Sequence, residues 1–173
     1  MDEQHLRAMM QEHHTASYGW ARVCAARLGV EAEDVLQTVY VKLLNGQARY
    51  DGRAAFKTWL FSVIRNTALD ERRRRRLRWL FSADITKDTD RPDFATDQLG
   101  QLERSEATES FRKALSGLPG RQQETLHLVF YQDMSIQEAA AAMGVSVGSA
   151  RTHYERGKQR LREWLRGREE SHA

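Results

Sequence analysis

The sequence predicts an all-α protein in which a flexible acidic linker joins two small helical domains. The 173 residues include 20 Ala and 17 Leu but only 9 Val and 3 Ile, a balance that favours helix over strand. Net charge is +5 over residues 1–80, −5 over residues 81–111 and +3 over residues 112–173. Apolar residues recur with the helical period on both sides of the acidic stretch, whereas the stretch itself lacks that period.

The N-terminal domain, predicted over residues 1–80, should contain three or four helices. The first is expected over about His5–Leu28, with Gly29 as its stop, and the second over about Ala32–Leu44, ended by Asn45-Gly46. The apolar stripe of the second helix is expected to consist of Leu36, Val39, Tyr40, Leu43 and Leu44.

A further helix should begin near Ala55 and run into the basic run Arg72–Arg76. Its buried stripe is expected to consist of Phe56, Trp59, Leu60, Val63, Ile64, Thr67 and Ala68. Its outward face is expected to carry Lys57, Arg65, Asn66, Asp70, Arg72 and Arg73. Basic and amide groups on one helical face can hold nucleic acid, and Tyr50 in the preceding loop could stack on an unpaired base. A solvated helix face and a tyrosine that anchors the loop to the core are the alternatives.

Residues 81–110 are predicted to form the acidic linker. Pro92 interrupts the segment, apolar residues are few, and its aspartates repel one another. These aspartates are Asp84, Asp88, Asp90, Asp93 and Asp97. Such a segment stays extended until a partner orders it, and the alternative is a plain solvated tether.

The C-terminal domain, predicted over residues 111–173, has the pattern of a helix-turn-helix. Pro119 and its flanking glycines break the chain between a helix that closes at Leu115 and a helix over Arg121–Tyr131. The segment from Ser135 to Glu138 is a capping box that starts a short helix over Ile136–Met143. The turn Gly144-Val145-Ser146 then leads to a basic helix from Val147 to about Arg166.

The basic second helix of this motif separates into an inward and an outward face. At 100° per residue, the inward residues are Ala150, Tyr154, Gly157 and Leu161. The outward and flanking residues are Ser149, Arg151, Thr152, His153, Glu155, Arg156 and Arg160. Small or apolar residues behind and long polar ones in front are typical of a recognition helix, in which Arg can bind guanine with two hydrogen bonds. An ordinary solvated amphipathic helix is the alternative.

The second N-terminal helix carries a polar strip opposite its apolar stripe. Asp34, Gln37 and Val41 lie at i, i+3 and i+7. An apolar valine beside exposed polar residues indicates a surface that binds a partner, and a simple solvated surface is the alternative.

The residues predict no enzyme, metal site or cofactor. His13 and His14 are adjacent and therefore point in different directions on a helix, and no phosphate-binding loop or His-Glu-x-x-His motif is present. Asp51 and Asp70 are isolated and are better explained as a cap or a salt-bridge partner. A single cysteine, Cys24, fits a reducing cytoplasm. The sequence contains neither a membrane-spanning apolar stretch nor a secretory signal, so a cytoplasmic protein is expected.

Two strings in the chain resemble the bacterial sigma factor family. The first runs from Glu33-Asp34-Val35-Leu36-Gln37 through Phe56-Lys57-Thr58-Trp59-Leu60-Phe61 to Asn66 and the Arg-rich run, and is similar to sigma region 2. The second runs from Leu118-Pro119 through Gln123 to the helix-turn-helix that ends near Gly157, and is similar to region 4. Gly157 and Ala150 depart from the family pattern, which commonly has Ala and a β-branched residue there. Two such regions joined by a short linker resemble an extracytoplasmic-function (ECF) sigma factor.

The resemblance implies a role for each of these surfaces. It implies that Asp34, Gln37 and Val41 dock on the clamp helices of the RNA polymerase largest subunit, and that the polymerase flap is a further contact. A −10 surface is implied for Tyr50, Lys57, Trp59, Arg65 and Asn66. A −35 surface is implied for Ser149, Arg151, Thr152, His153 and Arg156. The linker corresponds to the segment that threads the polymerase's active-site and RNA-exit channels.

The sequence therefore predicts a sigma factor that binds core RNA polymerase, directs it to promoter DNA and helps to melt it, with an anti-sigma factor as a further partner. A stand-alone helix-turn-helix regulator that binds an operator by itself is the alternative.

Overall fold

The computed structural model describes residues 2–81 and 106–171, and every regular element in these two ranges is an α-helix. The predicted all-α class is confirmed. The helices form two compact units. The predicted linker lies mostly outside the described residues, and the domain limits at 80/81 and 110/111 stay a prediction. Helix already occupies residues 106–110, which the prediction assigned to the linker.

The N-terminal unit contains four helices, two of them in place of the single first helix that was predicted. They are α1 (Glu3–Glu12), α2 (His14–Leu28), α3 (Ala32–Leu44) and α4 (Phe56–Phe81). The prediction of one continuous first helix is wrong, because the chain leaves helical geometry at His13 (φ −95°, ψ 6°). The His13 ring stacks on Phe56 at 5.8 Å between centroids, and this tertiary contact accompanies the break.

The core of this unit lies where α2, α3 and α4 meet. Trp20 is fully buried, stacks on Phe61 at 5.9 Å and donates its indole N–H to the Phe61 carbonyl at 2.9 Å. Val39 of α3 and Ile64 of α4 are also fully buried. Burial of side chains this large is worth roughly 1.5–3 kcal/mol each, and the indole bond leaves no buried donor without a partner at the tryptophan.

Two side chains of this unit do not lie where the periodicity predicts. Arg65, predicted to face outward, is only 7% exposed. It follows Thr58 by seven residues and therefore shares its side of α4, and Thr58 is buried as well. Because α4 packs against both α2 and α3, its buried arc is wider than a single stripe. Leu44, predicted to be buried, is the last residue of α3 and is 42% exposed.

The C-terminal unit contains the other four helices. They are α5 (Glu106–Ser116), α6 (Gly120–Phe130), α7 (Ile136–Met143) and α8 (Val147–Ser171). Its core joins α5, α6 and α8 through Leu115, Leu126 and Leu161. Phe111 and Trp164 pack against this core. The helix α8 continues five residues beyond the predicted end at Arg166.

The predicted capping box and glycine turn are confirmed. The Ser135 backbone N–H donates to Glu138 Oε2 at 2.8 Å, and the Glu138 N–H donates to Ser135 Oγ at 3.1 Å. Gly144 adopts φ +63°, a conformation that favours glycine, and so allows the turn between α7 and α8.

Gly157 lies where α8 packs tightly against α6. A Cβ at this position would be 2.8 Å from Leu126 Cδ1 and 3.1 Å from Leu126 Cγ. The helix α8 runs through Gly157 unbroken, and the absence of a side chain permits α6 to pack directly on the α8 backbone.

Candidate nucleic-acid and polymerase interfaces

The predicted recognition helix α8 has the expected division into faces. Ala150 is fully buried and Leu161 is 6% exposed, and Gly157 between them is buried. The exposed residues on the other side are Ser149, Arg151, Thr152, Glu155, Arg156 and Arg160. The helix thus presents a polar and basic surface to solvent, while Gly157 packs against Leu126 and Gln122 of α6.

The hydroxyls of α8 already have partners within the helix. Ser146 Oγ accepts from the Ser149 backbone N–H at 3.1 Å and donates to Ser149 Oγ at 2.9 Å. Thr152 Oγ1 donates to the Gly148 carbonyl at 3.0 Å. Ser149 therefore takes part in the N-terminal cap of α8, whereas the long side chains of Arg151 and Arg156 are exposed to solvent.

His153 lies half-buried beside a cationic group of side chains. Burial lowers its pKa, and the nearby Arg121 and Arg156 guanidiniums lower it further, while Glu124 acts in the opposite direction. Glu124 is only 3% exposed, and its carboxylate lies 3.8 Å from the Arg121 guanidinium. The imidazole is therefore held neutral at a pH where a free histidine begins to take up a proton.

In the N-terminal unit, Tyr50 joins an aromatic cluster at the start of α4. Its ring meets Phe56 edge-on at 5.3 Å and lies 5.3 Å from the Trp59 ring, and Phe56 and Trp59 are 5.5 Å apart. The Tyr50 hydroxyl donates to the Ala54 carbonyl. The ring is half-buried, so the anchoring role that the sequence left as an alternative is real, while part of the ring still faces solvent.

The remaining residues predicted for the −10 surface do not all share one face of α4. Trp59 is half-buried and Asn66 is exposed, and their separation of seven residues puts them on the same side of the helix about 10 Å apart. Lys57 lies instead near the core side, with Nζ 5.6 Å from the centroid of the Phe61 ring. Tyr50, Trp59 and Asn66 are thus the members that the structure leaves accessible together.

The predicted polymerase-binding strip on α3 is exposed at all three positions. Asp34 and Gln37 face solvent, and Val41 is 52% exposed. The neighbouring Glu33 makes a contact within the N-terminal unit: the Tyr18 hydroxyl donates a hydrogen bond to its carboxylate at 2.6 Å, and this bond lowers the pKa of Glu33.

Two exposed apolar groups were not singled out from the sequence. In the N-terminal unit the end of α4 exposes Leu77, Trp79, Leu80 and Phe81 by 53–86%. In the C-terminal unit Phe130 and Tyr131 are 47% and 48% exposed. The first group follows the arginine run directly, and that juxtaposition of cationic and aromatic residues is a signal visible in the sequence.

The described residues contain no cluster of three or more His, Cys, Asp or Glu side chains suited to a metal ion. None of the helices that the structure describes is long and apolar enough to cross a membrane.

Comparison with known proteins identifies both units. The sigma-70 region 2 family model matches residues 9–78, and the sigma-70 region 4 model matches residues 108–161. The ECF RNA polymerase sigma factor SigX of Bacillus subtilis is 34% identical over 139 residues, which cover 78% of this chain and 71% of SigX. The RNA polymerase sigma factor CarQ of Myxococcus xanthus is 30% identical and covers 80% of this chain and 77% of its own length.

A solved structure shows the same fold. It is the sigma factor RpoE in complex with the anti-sigma factor NepR from Bartonella quintana, with a TM-score of 0.71, 24% identity and coverage of 94% of this chain and 98% of that one. A stand-alone helix-turn-helix regulator is not favoured, because the N-terminal half matches region 2. The chain belongs to the sigma-70 family as an ECF sigma factor, a subunit that directs RNA polymerase to promoters.

Proposed function

We propose that this sigma factor reads the −35 element through the arginines of α8 and captures an unpaired −10 base beside Tyr50. The observation that carries the proposal is the outer row of α8, in which exposed basic residues stand on a helix held at its start by a serine cap and along its back by Ala150 and Gly157. Rigid support of this kind is what base readout requires, because a side chain reaches a base edge only if its helix is fixed in register.

Within the proposed −35 surface the residues have different roles. Arg151 and Arg156 make the base or phosphate contacts, because their side chains are exposed and long enough to reach DNA. Ser149 and Thr152 line the surface with hydroxyls that are engaged locally. His153 lies behind them and approaches the DNA backbone as a neutral donor.

Within the proposed −10 surface, Tyr50 offers part of its ring for stacking and Asn66 offers an amide for a base edge. Trp59 supports the Tyr50 ring at 5.3 Å. Lys57 and Arg65 stay in the proposal as predictions, and the burial of Arg65 favours a supporting role over a direct DNA contact.

The proposed partners are core polymerase and an anti-sigma factor. The exposed strip of Asp34, Gln37 and Val41 is the proposed surface for the clamp helices, and the flap is the proposed contact of the C-terminal unit. The solved relative RpoE binds the anti-sigma factor NepR, and an anti-sigma partner is proposed for this chain by that likeness. We further propose that the protein has no catalytic activity of its own and acts in the cytoplasm, where core polymerase works.

The −35 proposal is tested by Arg156→Ala in holoenzyme binding to a library of upstream sequences. Loss of a base contact should cost about 1–3 kcal/mol on the best promoter and flatten discrimination at one base position. Arg160→Ala is the matched control, an exposed arginine one turn further along α8, which should weaken binding to all sequences alike. If Arg156→Ala also weakens every sequence equally, Arg156 is a phosphate contact and the proposed base readout is wrong.

The −10 proposal is tested by Tyr50→Ala during open-complex formation. Base stacking is worth about 1–3 kcal/mol, so the variant should open the promoter more slowly while binding the closed duplex nearly normally. A template already unpaired across the −10 element should recover most of the loss. Hydrogen exchange of residues 50–56 serves as the control for loop anchoring. Normal opening by a stably folded variant would exclude Tyr50 from base capture.

A further inference from the structure

Lys42 contacts both parts of the N-terminal unit that carry the proposed −10 residues. Its backbone carbonyl accepts from the Ala48 N–H at 3.0 Å and so holds the start of the loop that contains Tyr50. Its side chain crosses from α3 to α4, where Nζ donates to Thr67 Oγ1 at 3.2 Å. Thr67 directly follows Asn66 in the sequence. One residue therefore connects the Tyr50 loop to the turn of α4 that presents Asn66.

Asp70 lies beside the same ammonium group. Lys42 Nζ is 4.0 Å from Asp70 Oδ2, and the Arg73 guanidinium is 3.7 Å from Asp70 Oδ1. Asp70 follows Asn66 by one turn, on the same side of α4. An acid that is isolated in the sequence is thus the ion-pair partner of a lysine in a neighbouring helix.

Of the two cations at Asp70, Lys42 is the more strongly constrained. The Lys42 side chain is only 24% exposed, and Thr67 is 3% exposed. A hydrogen bond with a charged donor is stronger than a neutral one, and shielding from water preserves its strength. The Arg73 side chain is 78% exposed, and surface pairs of that kind contribute little. The contacts of Lys42 are therefore the ones that hold α4 against α3.

These contacts constrain the rotation of α4 about its own axis. Apolar packing in the core has little directional preference, whereas a hydrogen bond is directional. Side chains reach about 5–6 Å from a helix axis, so a rotation of about 10° would move the Asn66 amide by about 1 Å. A binding site tolerates only about 0.5 Å. Asn66 is exposed and has no hydrogen-bond partner within the part of the chain that the structure describes, so its position depends on the helix that carries it.

We propose that Lys42 is a positioning residue for −10 recognition, which sets the Asn66 amide relative to the Tyr50 ring. It does so by tying α4 to α3 through Thr67 and Asp70. The proposal rests on the proposed role of Asn66 in base capture. Lys42 contacts no DNA in this role, because Thr67 and Asp70 engage its ammonium group.

The test is binding of the holoenzyme to promoter DNA that is unpaired across the −10 element, with each −10 base replaced in turn. Asn66→Ala locates the base that Asn66 reads, where it should lower discrimination by about 5- to 150-fold. Lys42→Met keeps an unbranched side chain and the backbone bond to Ala48 but removes the ammonium group. It should lower discrimination at the same base by about 3-fold or more, a smaller loss because the contact is displaced rather than removed.

Three further variants separate positioning from stability. Lys42→Arg keeps a cation on a long side chain and should restore most of the discrimination. Thr67→Val removes only the accepting hydroxyl and should cause a loss at the same base. In the Asn66→Ala background, Lys42→Met should cause no additional loss, since it acts through Asn66. If Lys42→Met does not fold, Thr67→Val provides the same comparison.

Tyr18→Phe is the matched control. It removes another polar contact between helices of the same unit, the 2.6 Å bond from the Tyr18 hydroxyl to Glu33 that joins α2 to α3. It should leave −10 discrimination unchanged even if it lowers the melting temperature.

Four outcomes would overturn the proposal. Undiminished discrimination by a folded Lys42→Met protein would exclude the positioning role and leave that of Asn66 intact. Equal losses from Tyr18→Phe would show that stability alone is responsible. An additional loss from Lys42→Met in the Asn66→Ala background would show that Lys42 acts on DNA independently of Asn66. No effect of Asn66→Ala would refute the proposed function itself, and the positioning role with it.

Discussion

Replacing Gly157 with alanine should destabilise the C-terminal unit, although alanine is the better helix former. The new Cβ would lie 2.8 Å from Leu126 Cδ1, 3.1 Å from Leu126 Cγ and 3.4 Å from Gln122 Cβ. Leu126 is fully buried, so it cannot relieve the overlap by swinging into water. The Leu126 side chain or one of the two helices must therefore shift by several tenths of an ångström.

Two opposing free-energy contributions set the change in stability caused by Gly157→Ala. Alanine in a helix interior gains about 1 kcal/mol over glycine. Forcing an extra methyl group into a filled core costs about 1–3 kcal/mol. The net change is therefore between about zero and 2 kcal/mol of lost stability. A relaxation that shifts α8 relative to α6 should weaken promoter binding in parallel.

Hydrogen exchange of α6 and α8 amides measures this unit independently of the N-terminal unit. Gly167→Ala is the matched control, because it lies in the same helix with nothing within 4 Å of the added Cβ, and it should stabilise α8 by up to about 1 kcal/mol. Leu126→Ala in the Gly157→Ala background should remove the clash, so the two substitutions together should cost less than the sum of their separate effects. If Gly157→Ala and Gly167→Ala stabilise equally, the packing argument is wrong.

Two further predictions concern the surfaces of the separate units. The double variant Asp34→Ala/Gln37→Ala should compete less well with another sigma factor for core polymerase, without a lower melting temperature. The control Gln11→Ala/Glu12→Ala, at exposed positions of α1, should change neither property. Unchanged competition by the first variant would exclude the α3 strip as the polymerase-binding surface. The pKa of His153 lies below 6.5 in the folded chain because of burial and neighbouring arginines, so the unfolded chain binds the proton first as pH falls. As pH falls below about 6.5, the free energy of unfolding should therefore decrease more steeply in the wild type than in His153→Gln. Urea unfolding from pH 7.5 to 5 measures this, and an equal decrease in the two proteins would contradict the prediction.

Helix ends were predictable because their cause is local. Gly29, Gly46 and Gly144 each adopt a positive φ between 63° and 73°, a conformation that glycine accepts without strain. The break at His13 was not predictable, because no glycine or proline marks it and the accompanying contact is with Phe56, 43 residues later in the chain. The local sequence of a helix does not reveal a contact with a residue so distant in the chain.

The outward residues of α8 were predicted correctly and those of α4 only in part, for a geometric reason. The inward residues of α8 form one stripe, which packs mainly against α6 and also meets α5 at Leu161, so a single stripe describes its buried side. The helix α4 packs on α2 and α3 together, and its buried arc reaches Arg65 on one side. Periodicity gives the direction of a buried face but not its width, which depends on how far the neighbouring helices extend around the helix.

The two proposed DNA surfaces should differ in how much order they gain on binding. The Tyr50 ring is already fixed between Phe56 and Trp59, with its hydroxyl on the Ala54 carbonyl, so stacking a base on it requires little further ordering. The outer arginines of α8 are exposed and must lose rotamer freedom, at about 0.5–1.5 kcal/mol for each immobilised side chain. Anchoring and base capture at Tyr50 are therefore compatible roles, since the contacts that hold the loop also prepare the ring for a base.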